Sequence, residues 1–194
     1  TRYWRHPLKT KCADKFLVRK YIEEKGYKNI LIPLIGVWDN AYEIDFDTLP
    51  NQFVLKCNHG SGYNIICLDK KTFNVNQTVL KLNQWLSEDF SLLAHEIHYQ
   101  AIPRKIVCEE LISSTAPVEF QFWCLNGEPE SMLVCRKNFD GTYDAASFSL
   151  EWERLYDRIN EPIDCDFQKP EYLNQLISMA KNLTKPFPFV RADF

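Results

Sequence analysis

The chain has 194 residues, 45% hydrophobic and 25% charged, a globular balance with enough length to bury the core of one or two small domains. A formal net charge of −3 lacks the basic footprint that duplex nucleic acid demands, so no nucleic-acid partner is expected. No apolar run approaches the roughly 18 residues of a membrane helix and no signal peptide opens the chain, so no transmembrane segment is expected.

In chain order, the opening basic residues Arg2, Arg5, Lys9 and Lys11 read as a frayed entry. Asp14 to Lys25 predicts an amphipathic helix, with Leu17, Val18, Tyr21 and Ile22 on one face and Gly26 as its stop. Ile30 to Val37, an apolar run containing Pro33, predicts an edge or linker strand, and the polar stretch Asp39 to Pro50 a connector. Gln52 to Cys57 and Tyr63 to Leu68 predict two strands of a hairpin closed by the Gly-bearing loop Asn58-His59-Gly60-Ser61-Gly62. Val79, Leu82, Trp85 and Leu86 mark a second helix, and Leu92 to Tyr99 a third. Lys105 to Ile112 predicts a strand, and Glu119 to Leu125 with Glu130 to Arg136 a hairpin across Asn126-Gly127. Glu171 to Leu183 predicts a helix with Leu173, Leu176, Ile177 and Ala180 inward, and Phe187 to Phe194 a closing strand. Hairpins mixed with separate helices give an α+β class rather than a parallel βαβ series.

The chemistry concentrates in a few places. Lys56 ends an otherwise apolar strand and runs directly into two glycines, a pattern that turns backbone N–H groups toward an anion beside an ammonium. A plain turn with a solvated lysine explains the same residues. No Walker lysine motif occurs. Asp14 suits a helix N-terminus, where its carboxylate meets free N–H groups, whereas Lys15 beside it opposes the helix dipole. At the strand end Glu109-Glu110, both carboxylates cannot point into a core; one is available to ribose hydroxyls or a hinge, and the alternative is two solvated acids.

In Phe187 to Phe194, period-2 alternation puts Arg191 and Asp193 on one face, a guanidinium fork suited to phosphate oxygens beside a hard oxygen donor suited to Mg²⁺. A structural Arg–Asp pair accounts for the same alternation. His95-Glu96-Ile97-His98 lacks zinc spacing and is not a metal candidate. Asp45-Phe46-Asp47 and Asp164-Cys165-Asp166 match a glycosyltransferase Asp-x-Asp pattern formally, without the preceding apolar strand. Seven cysteines form no Cys-x-x-Cys pair and sit mostly in apolar runs; they read as buried hydrophobes of a reducing compartment, giving a cytoplasmic expectation.

Taken in order, these pieces resemble the ATP-grasp superfamily, and within it the TupA-like group of teichuronopeptide and surface-polysaccharide biosynthesis. The resemblance is carried by Asp14-Lys15 with Val18-Arg19, Leu49-Pro50, Phe53 to Gly62, Lys105 to Glu110, Phe122 to Gly127 and Phe189 to Phe194, and runs from about residue 12 to the end. It implies an ATP-grasp fold with a nucleotide cleft between a small lid subdomain and a larger mixed-sheet subdomain. Its divisions would be 1–50 (N-terminal helix and connector), 51–107 (lid) and 108–194 (C-terminal subdomain).

The resemblance also implies roles. Lys15 and Lys56 would reach the ATP phosphates; His59, Gly60, Ser61 and Gly62 would close over them; Glu109 and Glu110 would mark the hinge near adenine and ribose. Arg191 would stabilise the transferred phosphoryl group and Asp193 would hold Mg²⁺. The family pattern places further magnesium ligands, a Glu and often an Asn, on strands after Arg-x-Asp; the sequence stops one residue past Asp193, so the fold is expected to be truncated at its C-terminus. The reaction implied is ATP- and Mg-dependent carboxylate–amine ligation through an acylphosphate, with a small-molecule or glycan-precursor carboxylate and an amine as partners, and Gln121, Arg136 and Lys137 as acceptor-pocket candidates. A glycosyltransferase of the same pathway and a non-catalytic nucleotide-binding module are the alternatives.

Overall fold

Pro7 occupies the first turn of α1 (Pro7–Ala13), where its missing N–H costs nothing, and His6 caps that turn by accepting from the Leu8 amide through Nδ1 at 3.2 Å. The computed structural model describes residues 6–113, 117–137, 142–155 and 167–194; Arg2, Trp4, Arg5 and the Asp164-Cys165-Asp166 motif lie outside them. Lys9 and Lys11 thus lie in a helix and not in a frayed entry. Asp14 closes it with its amide on the Thr10 carbonyl, then offers Oδ1 to the amides of Phe16 (2.8 Å) and Leu17 (3.2 Å). One carboxylate thereby starts α2 (Leu17–Glu24) at a fresh angle, so the predicted helix from Asp14 to Lys25 is shorter and follows a break. Gly26, at φ +87°, ends it as expected.

The described residues form two compact units, 1–112 and 113–194. The expected boundaries at 50/51 and 107/108 do not coincide with this grouping. Residues 1–50 supply β1 (Leu34–Trp38) to the sheet built by residues 51–107, and a cut after 107 would fall inside β4 (Ile106–Glu110).

In the first unit the sheet order is β1-β4-β2-β3, with β2 Phe53–Cys57 and β3 Asn64–Cys67, all adjacent pairs antiparallel. The Pro33-led apolar run supplies the edge strand, as Pro requires. Register sets Phe53, Leu55 and Cys57 opposite Glu110, Cys108 and Ile106, and Val54 and Lys56 opposite Glu109 and Val107. Alternation then gives Phe53, Leu55, Cys57, Ile106 and Cys108 to one face, where Leu82 of α3 (Val75–Ser87) completes a core of fully buried side chains. Lys56 and Glu109 share the other face. The expected helix over Leu92–Tyr99 is instead a four-residue α4 (Phe90–Leu93) and a separate 3-10 turn, broken at His95, whose φ is +56°.

The second unit is a five-stranded antiparallel sheet of order β8-β7-β6-β5-β9: β5 Val118–Leu125, β6 Glu128–Lys137, β7 Tyr143–Phe148, β8 Arg154–Leu155 and β9 Phe189–Asp193. Asn126 (φ +50°) and Gly127 (φ +83°) make the left-handed turn predicted for the β5–β6 hairpin, and a Cβ at 127 would sit 2.7 Å from the Lys185 Cα. α5 (Leu173–Thr184) buries Leu173, Leu176, Ala180 and Leu183. The first three pack with Phe120, Phe122, Met132, Val134 and Phe148 from one sheet face. β7 and β8 have no counterpart in the sequence reading. All six described cysteines are unbridged thiols, five of them buried, and burial pushes the Cys57 and Cys108 thiols up to about 12. No helix among the described residues is long and apolar enough to cross a membrane.

Candidate functional site

In the first unit one carboxylate takes two cations, the expected Lys56 and an Arg that was not an expected site residue. Lys56, at the end of β2, donates to Glu109 Oε2 of β4 at 2.6 Å, and Arg19 of α2 donates to Oε1 at 2.8 Å. The Glu109 side chain is only 9% exposed, against 15% for Arg19 and 24% for Lys56. Of the two adjacent acids, Glu109 is therefore buried and ion-paired on both oxygens, and Glu110 is exposed. That division of inside and outside matches the expectation; a Glu109 carboxylate free for ribose does not.

Lys15 follows the Asp14 helix start and turns its ammonium onto the Gly60 carbonyl. Burial, then repulsion from the Lys56 ammonium, lowers its pKa to about 8. The two lysines expected to act together are thus close enough to repel, although 41 residues separate them in the chain.

Asn58 fixes this geometry. Fully buried, it donates through Nδ2 to Asp14 Oδ1 and to the Pro103 carbonyl, both at 2.9 Å, and accepts the Lys105 amide on Oδ1 at 2.7 Å. Its backbone carbonyl accepts the Lys15 amide at 3.3 Å. One amide side chain ties the helix break, the end of β2 and the entry to β4 together. Neither Asn58 nor Arg19 was a site candidate from sequence; the signal available was a buried-type polar residue closing an apolar strand, and an Arg on a helix face otherwise given to packing.

The glycine loop is half fixed. Gly60 is buried, and a Cβ there would meet Phe90 and Tyr63 ring atoms at 2.9 Å. Ser61 and Gly62 are exposed, with Gly62 at φ +77° and open space around it. His59 departs from its expected place at the loop surface. It is 2% exposed, its Nε2 lies 3.0 Å from the Trp85 carbonyl of α3, and burial lowers its pKa, so the ring faces the core and not an anion.

In the second unit, alternation along β9 places Phe189, Arg191 and Asp193 on the face opposite the α5 core, as predicted, with Val190, Ala192 and Phe194 packed into it. Arg191 grips Asp193 with Nε and NH2, each at 2.7 Å, and its guanidinium lies 5.5 Å from the centre of the Trp123 ring, which stacks on Phe189. The Asp193 contact dominates in raising the Arg191 pKa further. Gln121 pairs across from Asp193 on this same face, whereas Arg136 lies on the opposite, core side against Phe167 and Asp144; Lys137 is exposed at the end of β6. The three acceptor-pocket candidates are not brought together.

No group of three His, Cys, Asp or Glu side chains gathers among the described residues. Asp193 supplies hard oxygen donors, and magnesium needs only one or two carboxylates when phosphates and water fill its shell, so this residue fits part of such a set. Asp45 and Asp47 are exposed and form a local turn, the Asp47 amide on Asp45 Oδ1 at 3.1 Å.

A family model described as TupA-like ATPgrasp matches residues 1–194. No curated protein matches the sequence. Among solved structures, the chain is similar to an L-amino acid ligase from Bacillus licheniformis at 15% identity and a TM-score of 0.50, covering 89% of this chain and 36% of that one. It is also similar to D-alanine–D-alanine ligase from Bacillus anthracis, at 16% identity and a TM-score of 0.44, over 94% of this chain and 51% of that one. A further similarity is to the ATP-grasp ligase PsnB complexed with a minimal precursor, at 12% identity and a TM-score of 0.42, over 97% and 50%. The chain thus spans 36% to 51% of the length of these structures, and the first likeness speaks to fold alone.

Proposed function

The chain belongs to the TupA-like ATP-grasp family, and from that premise we propose that it is the nucleotide-binding part of an ATP- and magnesium-dependent carboxylate–amine ligase. The observation that carries the reading is the convergence of Lys15 and Lys56 beside the Gly60 carbonyl and Glu109, a cationic group next to exposed loop backbone at Ser61 and Gly62. Its placement in cell-surface polysaccharide biosynthesis, with a uronic acid or amino acid of a glycan precursor as the carboxylate, follows from the family resemblance alone.

In this reading Lys15 and Lys56 bind phosphate oxygens, Lys15 exchanging the Gly60 carbonyl for the anion. The amides around Ser61 and Gly62 add donors from a loop whose Gly60 end is anchored, so closure moves only the exposed tip. His59 serves as an anchor of that loop through the Trp85 carbonyl and not as a phosphate ligand. Arg191 neutralises charge developing on the transferred group, which its planar fork suits. Asp193 would hold magnesium, and the bound ion would supply charge neutralisation at the phosphates. Glu110, exposed at the end of β4, is the acid left available to a nucleoside hydroxyl.

The test is ADP release from ATP and Mg²⁺ with uronic and amino acids as carboxylates, with and without an added amino acid as the amine. Release that requires both partners supports the ligase. Stabilisation by a uridine diphosphate sugar instead of Mg-ATP would point to a glycosyltransferase, and stabilisation by Mg-ATP with no turnover would leave a binding module.

A further inference from the structure

We propose that Arg19 is a positioning residue for the phosphate-binding lysines: it holds one oxygen of Glu109 so that Lys56 can leave the other for a polyphosphate. The inference rests on the reading of Lys15 and Lys56 as phosphate ligands and assigns a role to a residue outside that pair.

Lys15, Lys56 and Arg19 bring three cations to a region in which Glu109 is the acid paired to two of them, Arg19 at 2.8 Å and Lys56 at 2.6 Å. Had Glu109 only Lys56, the two would form a neutral, half-buried pair with little attraction for an anion. Pulling Lys56 toward a phosphate would then strand a buried carboxylate, the change that makes breaking such pairs costly. Arg19 removes both obstacles. It leaves Lys56 only partly neutralised, and it keeps Glu109 compensated once Lys56 has turned away.

The guanidinium is itself held in place. Its NH2 donates to the Ile32 carbonyl, just before β1, at 2.6 Å, so it spans from the edge of the sheet to Glu109 on the central strand β4. A planar fork can serve a carbonyl and a carboxylate at once in this way. Lys15 lies within electrostatic reach of the same group: burial first, then the Lys56 ammonium, depresses its ammonium, while Asp14 and Glu109 act to raise it.

The experiment measures binding of inorganic tripolyphosphate and of Mg-ATP by calorimetry to the full chain and to Arg19→Gln, Arg19→Lys, Glu109→Gln and the Arg19→Gln/Glu109→Gln double variant, with thermal unfolding run on each. Arg19→Gln should bind tripolyphosphate about tenfold more weakly or worse, Arg19→Lys should stay within about threefold of the parent, and the double variant should recover most of the loss. Recovery is the discriminating result. A residue that merely braces the fold would give a double variant at least as impaired as either single one, and that outcome, or an unchanged affinity in Arg19→Gln, overturns the proposal. Should Glu109→Gln fail to fold, the Gln, Lys and double variants still decide. A parent chain that binds tripolyphosphate but not Mg-ATP removes the nucleotide reading, while the variant series still tests Arg19; one that binds neither overturns the inference too.

Discussion

Replacing Asn58 by alanine should unlock the first unit at its most connected point. The side chain is fully buried and satisfies three groups from two other segments: Asp14 Oδ1 at the helix break, and the Pro103 carbonyl and the Lys105 amide at the entry to β4. Truncation orphans the Pro103 carbonyl and the Lys105 amide outright. Asp14 loses one donor but retains the Phe16 and Leu17 amides, so its share is smaller. A fully buried orphan costs about 1–3 kcal/mol, and these two groups are part-buried and within reach of water, so the expected loss is about 1–3 kcal/mol in total. Because the chain divides into two units, a single global unfolding energy is a poor readout. Hydrogen exchange of the β2 and β4 amides isolates the first unit, where protection should fall by that amount while β5 and β6 keep theirs. Asn58→Asp keeps the shape but replaces the Nδ2 donor with an acceptor facing Asp14 Oδ1 and the Pro103 carbonyl, and should be at least as damaging at neutral pH. A loss under about 1 kcal/mol in the alanine variant, or a silent aspartate variant, would refute the reasoning.

Lys15 sets a pH dependence. Its pKa is about 8 in the folded chain against an ordinary 10.5, so between these values the unfolded chain holds more protons and stability rises with pH; it falls as pH drops through 8. The buried thiols, raised on folding, lower stability with pH in parent and Lys15→Met alike, so it is the difference between their unfolding midpoints that should rise in favour of the parent over this window, whereas tripolyphosphate affinity in the parent should weaken above pH 8 as the ammonium is lost. Gly60→Ala and Gly62→Ala should separate two reasons for glycine. The first drives a Cβ into Phe90 and Tyr63 and should cost about 1–3 kcal/mol; the second meets nothing and should cost about 1 kcal/mol for its left-handed backbone, as read by denaturant midpoints. Arg191→Lys removes the two-pronged grip and Asp193→Asn the negative charge of a half-exposed ion pair, so the melting temperature should stay within about 2 °C while ADP release collapses; a large stability loss with intact turnover would mark the pair as structural.

The parts of the fold legible in the sequence are those where one physical rule acts alone. Period-2 alternation gave β9 its two faces, the Asn126-Gly127 turn gave the β5–β6 hairpin, and the Leu82 and Leu176 stripes gave α3 and α5. α1 escaped because its seven residues carry no period, only a cap at His6 and a proline. β7 escaped because Tyr143-Asp-Ala-Ala-Ser-Phe148 is poor in strand formers; pairing with β6, from Lys137 to Met132, makes it a strand. At the candidate site the lysines were visible as cations at element ends. Arg19 and Asn58 were not, since their partners lie 90 and 44 residues away and the local signal, a polar side chain among apolar neighbours, does not say what it meets. His59 misled for a related reason: a histidine between a strand and two glycines looks like loop surface, but the C-terminal turn of α3 offers it a carbonyl and covers it.

The cysteines give each unit its own clock. Cys57 and Cys108 face each other's strands in the first unit, Cys124 and Cys135 lie on β5 and β6 of the second, and all four are at most 1% exposed with raised thiol pKa values. A thiol so held is scarcely ever a thiolate at neutral pH, so an alkylating reagent has to wait for the strand to open. Mass mapping of which thiols are labelled first would therefore time the openings of the two sheets separately, without any engineered probe, and saturation with a phosphate ligand should lengthen the interval for Cys57 and Cys108.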